Sequence, residues 1–159
     1  MFKLSAKQHR KLERRLSALK ADPHVQQMKR YRQHGRTSTF DHCERVAALS
    51  YAIDQRFHLN ADLDALLPGA MLHDFALYDW HDPHDPHNAH GLHGLRHAKM
   101  AQENARELLG ASDQVQHIIW CHMWPLNLTR LPRSKEAWIV CVADKCAAVG
   151  EVFHRRGTF

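Results

Sequence analysis

The sequence predicts an all-α fold, organised as a single compact helical bundle that spans residues 1–159. Apolar residues recur in most segments at the three- and four-residue spacing of helices that bury one face. No segment shows the sustained alternation of apolar and polar residues that is typical of a half-buried strand. The length of 159 residues fits one domain and is sufficient to bury a core without stabilising cross-links. We therefore expect five or more helices in one domain.

Helix boundaries in the first third of the chain follow from residues that favour helix starts. A first helix is expected within the basic N-terminal segment. Asp22 followed by Pro23 predicts the start of a second helix, because aspartate caps free N–H groups and proline fits the first helical position. A turn precedes the third helix, which Ser38 or Thr39 can cap and which covers about residues 40–57.

The next segment is very apolar and is also predicted to be helical. Asn60 is its expected N-cap, and its apolar residues extend from Leu63 to Leu77. Pro68 lies inside this pattern and is expected to kink or restart the helix, since proline lacks an N–H group. Residues 79–91 are expected to form a long loop, because prolines and a glycine interrupt any regular element.

Three further helices complete the predicted bundle. Gly110 suits the left-handed conformation that commonly follows a helix, so it marks the end of one. Ser112 or Asp113 is the predicted N-cap of a short helix, and Ser134 is that of the last one. The three helices are expected over about 95–109, a short stretch ending at 122, and about 135–153.

Positive charge is concentrated at the N-terminus. The chain has 22 lysines and arginines against 17 acidic residues, a formal net charge of +5, and 15 histidines besides. Residues 1–36 carry a net charge of +9, whereas the remainder carries −4. This region could contact the phosphates of nucleic acid, of a nucleotide or of an anionic surface. We favour a solvated helix face instead, because no aromatic residues alternate with the charges as base stacking requires.

The sequence favours a soluble, cytoplasmic protein without a membrane partner. No run of residues approaches the ~20 apolar positions that cross a bilayer. The basic N-terminus is not followed by the apolar stretch of a secretory signal. The four cysteines lack the paired spacing of a zinc or redox motif, so we expect them to be reduced and mostly buried.

Histidines and aspartates of five segments suggest a metal site. Asp74 and Asp144 lie in apolar segments, where an unpaired carboxylate would be costly. His42 is predicted on the inward face of its helix. Nitrogen and oxygen donors without thiolates suit zinc, manganese, iron, nickel or magnesium. The candidate ligands are His42, His73, Asp74, His97, His122 and Asp144.

Three motifs in chain order carry a family resemblance. Thr39–Ala47 resembles the opening histidine helix of the HD-domain metal-dependent phosphohydrolase superfamily, Gly69–Asp74 resembles its His-Asp doublet, and Val142–Lys145 resembles its closing aspartate. The segments Gly94–His97 and His122–Leu126 resemble the extra histidines of members that bind two ions. The three signature motifs are spread over residues 39–145, which is most of the chain. The resemblance implies an HD-domain-like helical fold and metal-dependent hydrolysis.

The resemblance also implies a role for each candidate ligand. A first divalent ion would take the ligands His42, His73, Asp74 and Asp144. Asp74, the catalytic carboxylate, would bridge to a second ion that is completed by His97 and His122. A metal-activated hydroxide would then attack the phosphorus of a small phosphorylated substrate, for which a nucleotide is the first candidate. The sequence lacks the Gly-Tyr-Pro motif of cyclic dinucleotide esterases.

Several basic residues near these motifs are candidate contacts for the substrate phosphate, which arginine in particular can bind through two hydrogen bonds. They are His34, Arg36, Arg96 and Lys145. The alternative for each is a surface charge or a side chain that supports a ligand. Histidines also recur every three residues from His81 to His93. We expect this segment to be a mobile loop over the site, which only its last histidine reaches.

Two other functions stay open at this point. The same ligand set suits a di-iron oxygenase of the same superfamily, in which the reaction uses oxygen. A non-catalytic module is the third hypothesis, in which the basic residues 1–36 bind nucleic acid and the metal site is structural.

Overall fold

The computed structural model of the chain describes residues 4–34, 37–79, 82, 84 and 93–156, with the backbone alone at 34, 93–95 and 151–156. These residues form seven α-helices, one short 3₁₀ helix and one two-stranded hairpin, which confirms the all-α prediction. The helices are α1 (Ala6–Ala21), α2 (Pro23–Gln27), α3 (Thr39–Phe57), α4 (Leu63–Leu72), α5 (His93–Leu109), α6 (Asp113–Cys121) and α7 (Lys135–Arg156).

The N-terminal helices begin where capping chemistry predicts. Ser5 caps α1 in a reciprocal arrangement with Gln8, in which each side chain bonds the other residue's backbone N–H. Asp22 accepts a hydrogen bond from the His24 backbone N–H, and Pro23 is the first residue of α2. Leu12 and Leu16 are the buried residues of α1, so its basic residues lie on the other faces.

A small antiparallel hairpin follows the 3₁₀ helix Met28–Arg30 and was not predicted. It consists of β1 (Arg32–His34) and β2 (Thr37–Ser38). Strands of two and three residues are too short to show alternation, so the sequence carries no periodic signal for them. The Thr39 backbone N–H donates to the Tyr31 carbonyl at 2.9 Å, which ties the hairpin to the start of α3.

α3 and α4 form the centre of the fold. Ser38 caps α3, as predicted, and the helix buries His42, Cys43 and Val46. α4 is apolar on all sides and nearly all of its residues are buried, as expected for a helix surrounded by others. It contacts α3, α6 and α7, and α5 packs on α6. α4 is therefore enclosed by α3, α6 and α7.

Two predictions about α4 were wrong. Asp62 caps the helix, not Asn60, which has a left-handed φ of 53° and so lacks the extended backbone of an N-cap. The helix ends at Leu72 and does not extend to Leu77, whose φ of 56° is also left-handed. α4 runs through Pro68 without restarting, and the Asp64 carbonyl loses its helical donor there.

The remaining elements agree with their predicted caps. Gly110 follows α5 with a φ of 62°, and the Ser112 and Ser134 side chains cap α6 and α7. Cys43, Cys121 and Cys141 are buried free thiols, while Cys146 is free and exposed. Among the described residues, no helix has the length and apolarity needed to cross a membrane.

Candidate metal centre

Five helices each bring one or two of the predicted ligands to the same place. His42 lies in the first turn of α3, His97 in the first half of α5, and Asp144 in α7. His73 and His122 are the C-cap residues that directly follow α4 and α6, and Asp74 comes after His73. The four histidines and Asp74 are buried, and the Asp144 side chain is only 14% exposed. Sequence analysis thus predicted a set of residues that the fold brings together.

The first ligand group consists of His42, His73 and Asp144. The Asp144 Oδ1 atom lies 3.2 Å from His42 Nε2 and 3.6 Å from His73 Nε2. The centroids of the two imidazole rings are 5.3 Å apart. These three donor atoms converge on a common point and could hold one metal ion.

The second ligand group consists of Asp74, His97 and His122. The Asp74 Oδ1 atom lies 3.2 Å from His97 Nε2 and 3.4 Å from His122 Nε2. The two Nε2 atoms are 2.9 Å from each other. These three side chains, all buried, form a second group that could hold a metal ion.

Asp74 connects the two ligand groups through its two carboxylate oxygens. Oδ1 belongs to the second group, as described above. Oδ2 points toward the first group and lies 3.4 Å from His73 Nε2 and 4.0 Å from His42 Nε2. Each oxygen therefore faces a different set of imidazoles, which is the arrangement that a bridging carboxylate requires.

Helix carbonyls determine the tautomer of two of the histidines. His73 Nδ1 donates to the Ala70 carbonyl at 2.8 Å, and His122 Nδ1 donates to the Ile119 carbonyl at 2.7 Å. In both cases the carbonyl belongs to the residue three positions earlier in the same helix. With the proton on Nδ1, the neutral ring presents the Nε2 lone pair to the centre, which is how histidine ligands are usually oriented.

The donor spacing and the unpaired atoms fit a metal centre. Bonds of 2.0–2.2 Å to zinc or a similar ion place neighbouring ligand atoms roughly 2.9–3.5 Å apart, and most of the separations above lie in this range. His73 Nε2 and Asp74 Oδ1 are buried and have no hydrogen bond within the described part of the chain. Buried polar atoms without a partner are costly, and a metal ion would satisfy both.

Both carboxylates are stabilised in their anionic form. Burial raises the pKa of Asp74, but the surrounding imidazoles, above all His73, outweigh it and hold this pKa well below its usual range. Burial likewise opposes ionisation of Asp144, and His42 and His73 lower its pKa well below the ordinary value. Two buried anions favour the presence of a cation at this point.

Burial lowers the pKa of both His73 and His122, but the net shifts of the two histidines are opposite in direction. Burial lowers the pKa of His73, but Cys43, Asp74 and Asp144 together raise it well above its usual value. For His122, burial dominates and the pKa is lowered despite the nearby Asp74. His73 is thus the imidazole on which the protein gathers positive charge. A bound divalent ion would supply that charge itself and leave His73 neutral.

Comparison with known proteins identifies the family. A family model described as the HD domain matches residues 39–149, which is more than two thirds of the chain. This chain belongs to the HD-domain family. The match includes all six candidate ligands and confirms the family resemblance seen in the three motifs. No curated protein and no solved structure matches the chain.

The HD domain places only some of the predicted phosphate contacts near the metal centre. Lys145 Nζ donates to the His122 carbonyl at 2.8 Å and lies 3.4 Å from Asp144 Oδ2, so it contacts both ligand groups. Arg96 is exposed on α5 next to His97. His34 lies in β1, and only its backbone is described. Arg36 and most of the predicted mobile loop 81–93 lie outside the described residues.

A cavity opens beside Asp74 and His97, between the HD domain and the residues that precede it. Its other lining residues are Met28, Tyr31, Gln33, Thr39, Ala76, Leu77 and Tyr78. Gln33 also donates a hydrogen bond from its side-chain amide to Asp74 Oδ2. Sequence reasoning examined His34 and Arg36 in this segment but not Gln33. Its position just before the first ligand helix was the available signal.

Proposed function

We propose that this protein is a metal-dependent phosphohydrolase that cleaves a small phosphoester, with a nucleotide as the first class of substrate to test. The observation that carries the proposal is the division of the Asp74 carboxylate between two groups of imidazoles. Membership in the HD-domain family supports it, because that superfamily is of the metal-dependent phosphohydrolase type. The proposed ligands are those of the two groups, His42, His73 and Asp144, and Asp74, His97 and His122.

The chain's own residues would prepare the site for hydrolysis. Divalent ions, when bound, supply Lewis acidity and lower the pKa of a coordinated water so that it can attack phosphorus at neutral pH. His73 and His122 would present unprotonated Nε2 atoms, since helix carbonyls hold the protons on Nδ1. Asp74 would contribute one oxygen to each ligand group. Lys145 would hold the His122 backbone and the Asp144 carboxylate at a fixed distance from each other, because its ammonium group contacts both.

The substrate would enter the cavity beside Asp74 and His97. Asp74 and His97 both line this cavity, so a phosphoester bound there would lie against the second ligand group. Its described lining residues include no lysine or arginine, so the phosphoryl group would depend on the metal centre and on cations from its edge. Arg96 and Lys145 are the proposed cations of this kind, together with His34 and Arg36.

The experiment that tests the proposal measures metal content and hydrolysis on the same preparations. We expect the wild type to retain divalent metal and to hydrolyse at least one member of a panel of phosphomonoesters, nucleotides and phosphodiesters supplied with Mn²⁺ or Ni²⁺. Asp74→Ala should lose both metal and activity, because it removes an oxygen from each ligand group. His122→Ala should lose metal from the second group and retain the first, which gives a lower stoichiometry.

Three results would contradict the proposal. Wild-type hydrolysis that persists in Asp74→Ala would show that the reaction does not use this centre. Iron in the purified protein, with visible absorption and no turnover of any phosphoester, would instead indicate oxygenase chemistry. A fully inactive wild type that binds nucleic acid equally well with and without Asp74 would indicate a binding module.

A further inference from the structure

We propose that Gln33 is the positioning residue that fixes the plane of the Asp74 carboxylate, so that one oxygen faces each ligand group. This inference rests on the proposed function, since it treats the two groups as metal sites. Gln33 lines the cavity beside Asp74 and donates its amide N–H to Asp74 Oδ2.

The Asp74 carboxylate needs such a constraint. Rotation about the final bond of an aspartate side chain is soft and has broad minima. Asp74 Oδ1 accepts no hydrogen bond within the described residues, so it supplies no directional restraint. A rotation of the plane would withdraw Oδ1 from His97 and His122 and Oδ2 from His73 at the same time. The Gln33 amide is the described hydrogen-bond donor that opposes this rotation.

Gln33 is itself held in place by the start of the first ligand helix. It is the central residue of β1, which pairs with β2 immediately before α3. The Thr39 hydroxyl lies 3.4 Å from Gln33 Oε1 and 3.3 Å from the Tyr31 carbonyl, and can donate to either. The amide nitrogen is thereby directed at Asp74. Since α3 also carries His42, the hairpin couples the orientation of Asp74 to a ligand of the first group.

An uncharged donor suits this position better than a charged one. A lysine or arginine would bring a cation into competition with a metal ion, whereas a glutamate would repel the Asp74 carboxylate. A glutamine amide orients the carboxylate without changing the charge of the centre. Hydrogen bonds to ligating groups typically contribute 10–100-fold to metal affinity.

The test compares Gln33→Met with the wild type. Methionine has nearly the same length and shape but lacks the donor. The matched control is Gln116→Met on α6. It removes a glutamine whose side chain donates to the Ala111 carbonyl at 2.8 Å and contacts neither ligand group. Each full-length protein is stripped of metal with a chelator, checked by circular dichroism, and titrated with Mn²⁺ in a calorimeter. We expect Gln33→Met to bind Mn²⁺ about 10–100-fold more weakly than the wild type, and Gln116→Met to bind like the wild type.

The outcomes separate this inference from the proposed function. If the wild type binds two Mn²⁺ ions and Gln33→Met binds them equally well, the role of Gln33 is refuted while the proposed function stands. If the wild type binds no divalent ion, the proposed function and the role of Gln33 are both refuted. Gln33→Asn provides a second variant in case the methionine variant does not fold. It keeps an amide that is one carbon too short to reach Asp74, so we expect the same weakening.

Discussion

Single polar side chains hold the backbone segments that surround the metal centre. Asn104 on α5 donates to the Phe75 and Ala76 carbonyls at 3.0 and 3.1 Å, and so holds the segment directly after Asp74. Lys135 on α7 donates to the Leu59 and Asn60 carbonyls before α4. Each bond satisfies carbonyls that lie outside helices and would otherwise lack partners. The loops at the site are therefore positioned by neighbouring helices.

His117 on α6 likewise holds a backbone segment in place, the one that leads to α7. Its Nε2 atom accepts the Arg133 backbone N–H at 3.1 Å, which requires a neutral ring. Burial lowers the pKa of His117, and the charge of Arg133 lowers it further. The sequence assigns this histidine no role, because neither its neighbours nor its spacing points to a partner sixteen residues away.

This geometry predicts a pH dependence of stability. Below the unfolded-state pKa of about 6.5, the unfolded chain binds a proton at His117 that the folded chain resists. The stabilisation of the fold by neutral His117 is therefore complete above pH 6.5. It is lost as the pH falls from 6.5 through the lower pKa of His117 in the folded protein. We expect the free energy of unfolding to decline between pH 7 and pH 5 more steeply in the wild type than in His117→Gln. Urea unfolding of both proteins, stripped of metal, measures the difference. Parallel declines would show that His117 does not stay neutral in the fold.

At the scale of helices, Gly69 sets the distance between α4 and α6. A methyl group at this position would lie 2.8 Å from Cγ2, 2.9 Å from Cδ1 and 3.0 Å from Cβ of Ile118. The Cβ atom cannot move without the backbone of α6. Because His73 directly follows α4 and His122 directly follows α6, this close contact also determines how far apart two ligands of different groups lie.

Gly69→Ala should therefore destabilise the protein even though alanine favours helices. Overpacking of a core typically costs about 1–3 kcal/mol, and the gain in helix propensity offsets at most about 1 kcal/mol of it. We expect a net loss of about 1–2 kcal/mol in chemical unfolding. In an Ile118→Ala background the same change should cost less, since the two closest contacting atoms, Cγ2 and Cδ1, are gone and only the Cβ contact at 3.0 Å stays. If Gly69→Ala lowered the free energy of unfolding equally in both backgrounds, contact with the Ile118 side chain would not be the cause of the destabilisation.

The sequence predicts helices far better than it predicts the parts between them. Ser38, Ser112 and Gly110 mark helix ends correctly, because capping depends on local backbone chemistry. The prediction of Asn60 as a cap was wrong because asparagine and aspartate can both cap a helix, and the backbone φ that excludes Asn60 is not visible in the sequence. Gln33 was missed for a different reason: its contact with Asp74 joins residues that are far apart in sequence.

At the scale of the whole molecule, α1 has an exposed basic face, formed by Lys7, Arg10, Lys11 and Arg14. Two cations beside this face form ion pairs: Arg15 with Asp64, and Lys20 with Glu13 and Glu44. Four others lie three or four residues apart on the exposed side, opposite Leu12 and Leu16, and form no ion pair within the described residues. These four are Lys7, Arg10, Lys11 and Arg14. Their charges contribute to the field around the protein but not to its packing.

Removing these four charges should leave the fold intact. Like charges three and four positions apart on a helix repel by a few tenths of a kcal/mol per pair, so the quadruple glutamine variant should be as stable as the wild type or slightly more stable. The difference should shrink as salt is raised from 20 to 500 mM, because salt screens exposed charges. Thermal unfolding followed by circular dichroism measures both effects. A loss above about 2 kcal/mol would show that the four cations hold the helix to the body, since exposed ion pairs contribute less than that.

The way in which α4 and α6 end has a consequence for how a metal ion is acquired. The carbonyls that orient His73 and His122 belong to the helices themselves, so the two rings take their direction from main-chain folding. Small zinc modules differ, because their ligands are ordered only when the ion binds and the binding free energy is folding free energy. Here the ordering entropy of two ligands is already lost when the helices form. We therefore expect a metal ion to bind to a protein that is already folded, and exchange of one ion for another to leave the helices unchanged.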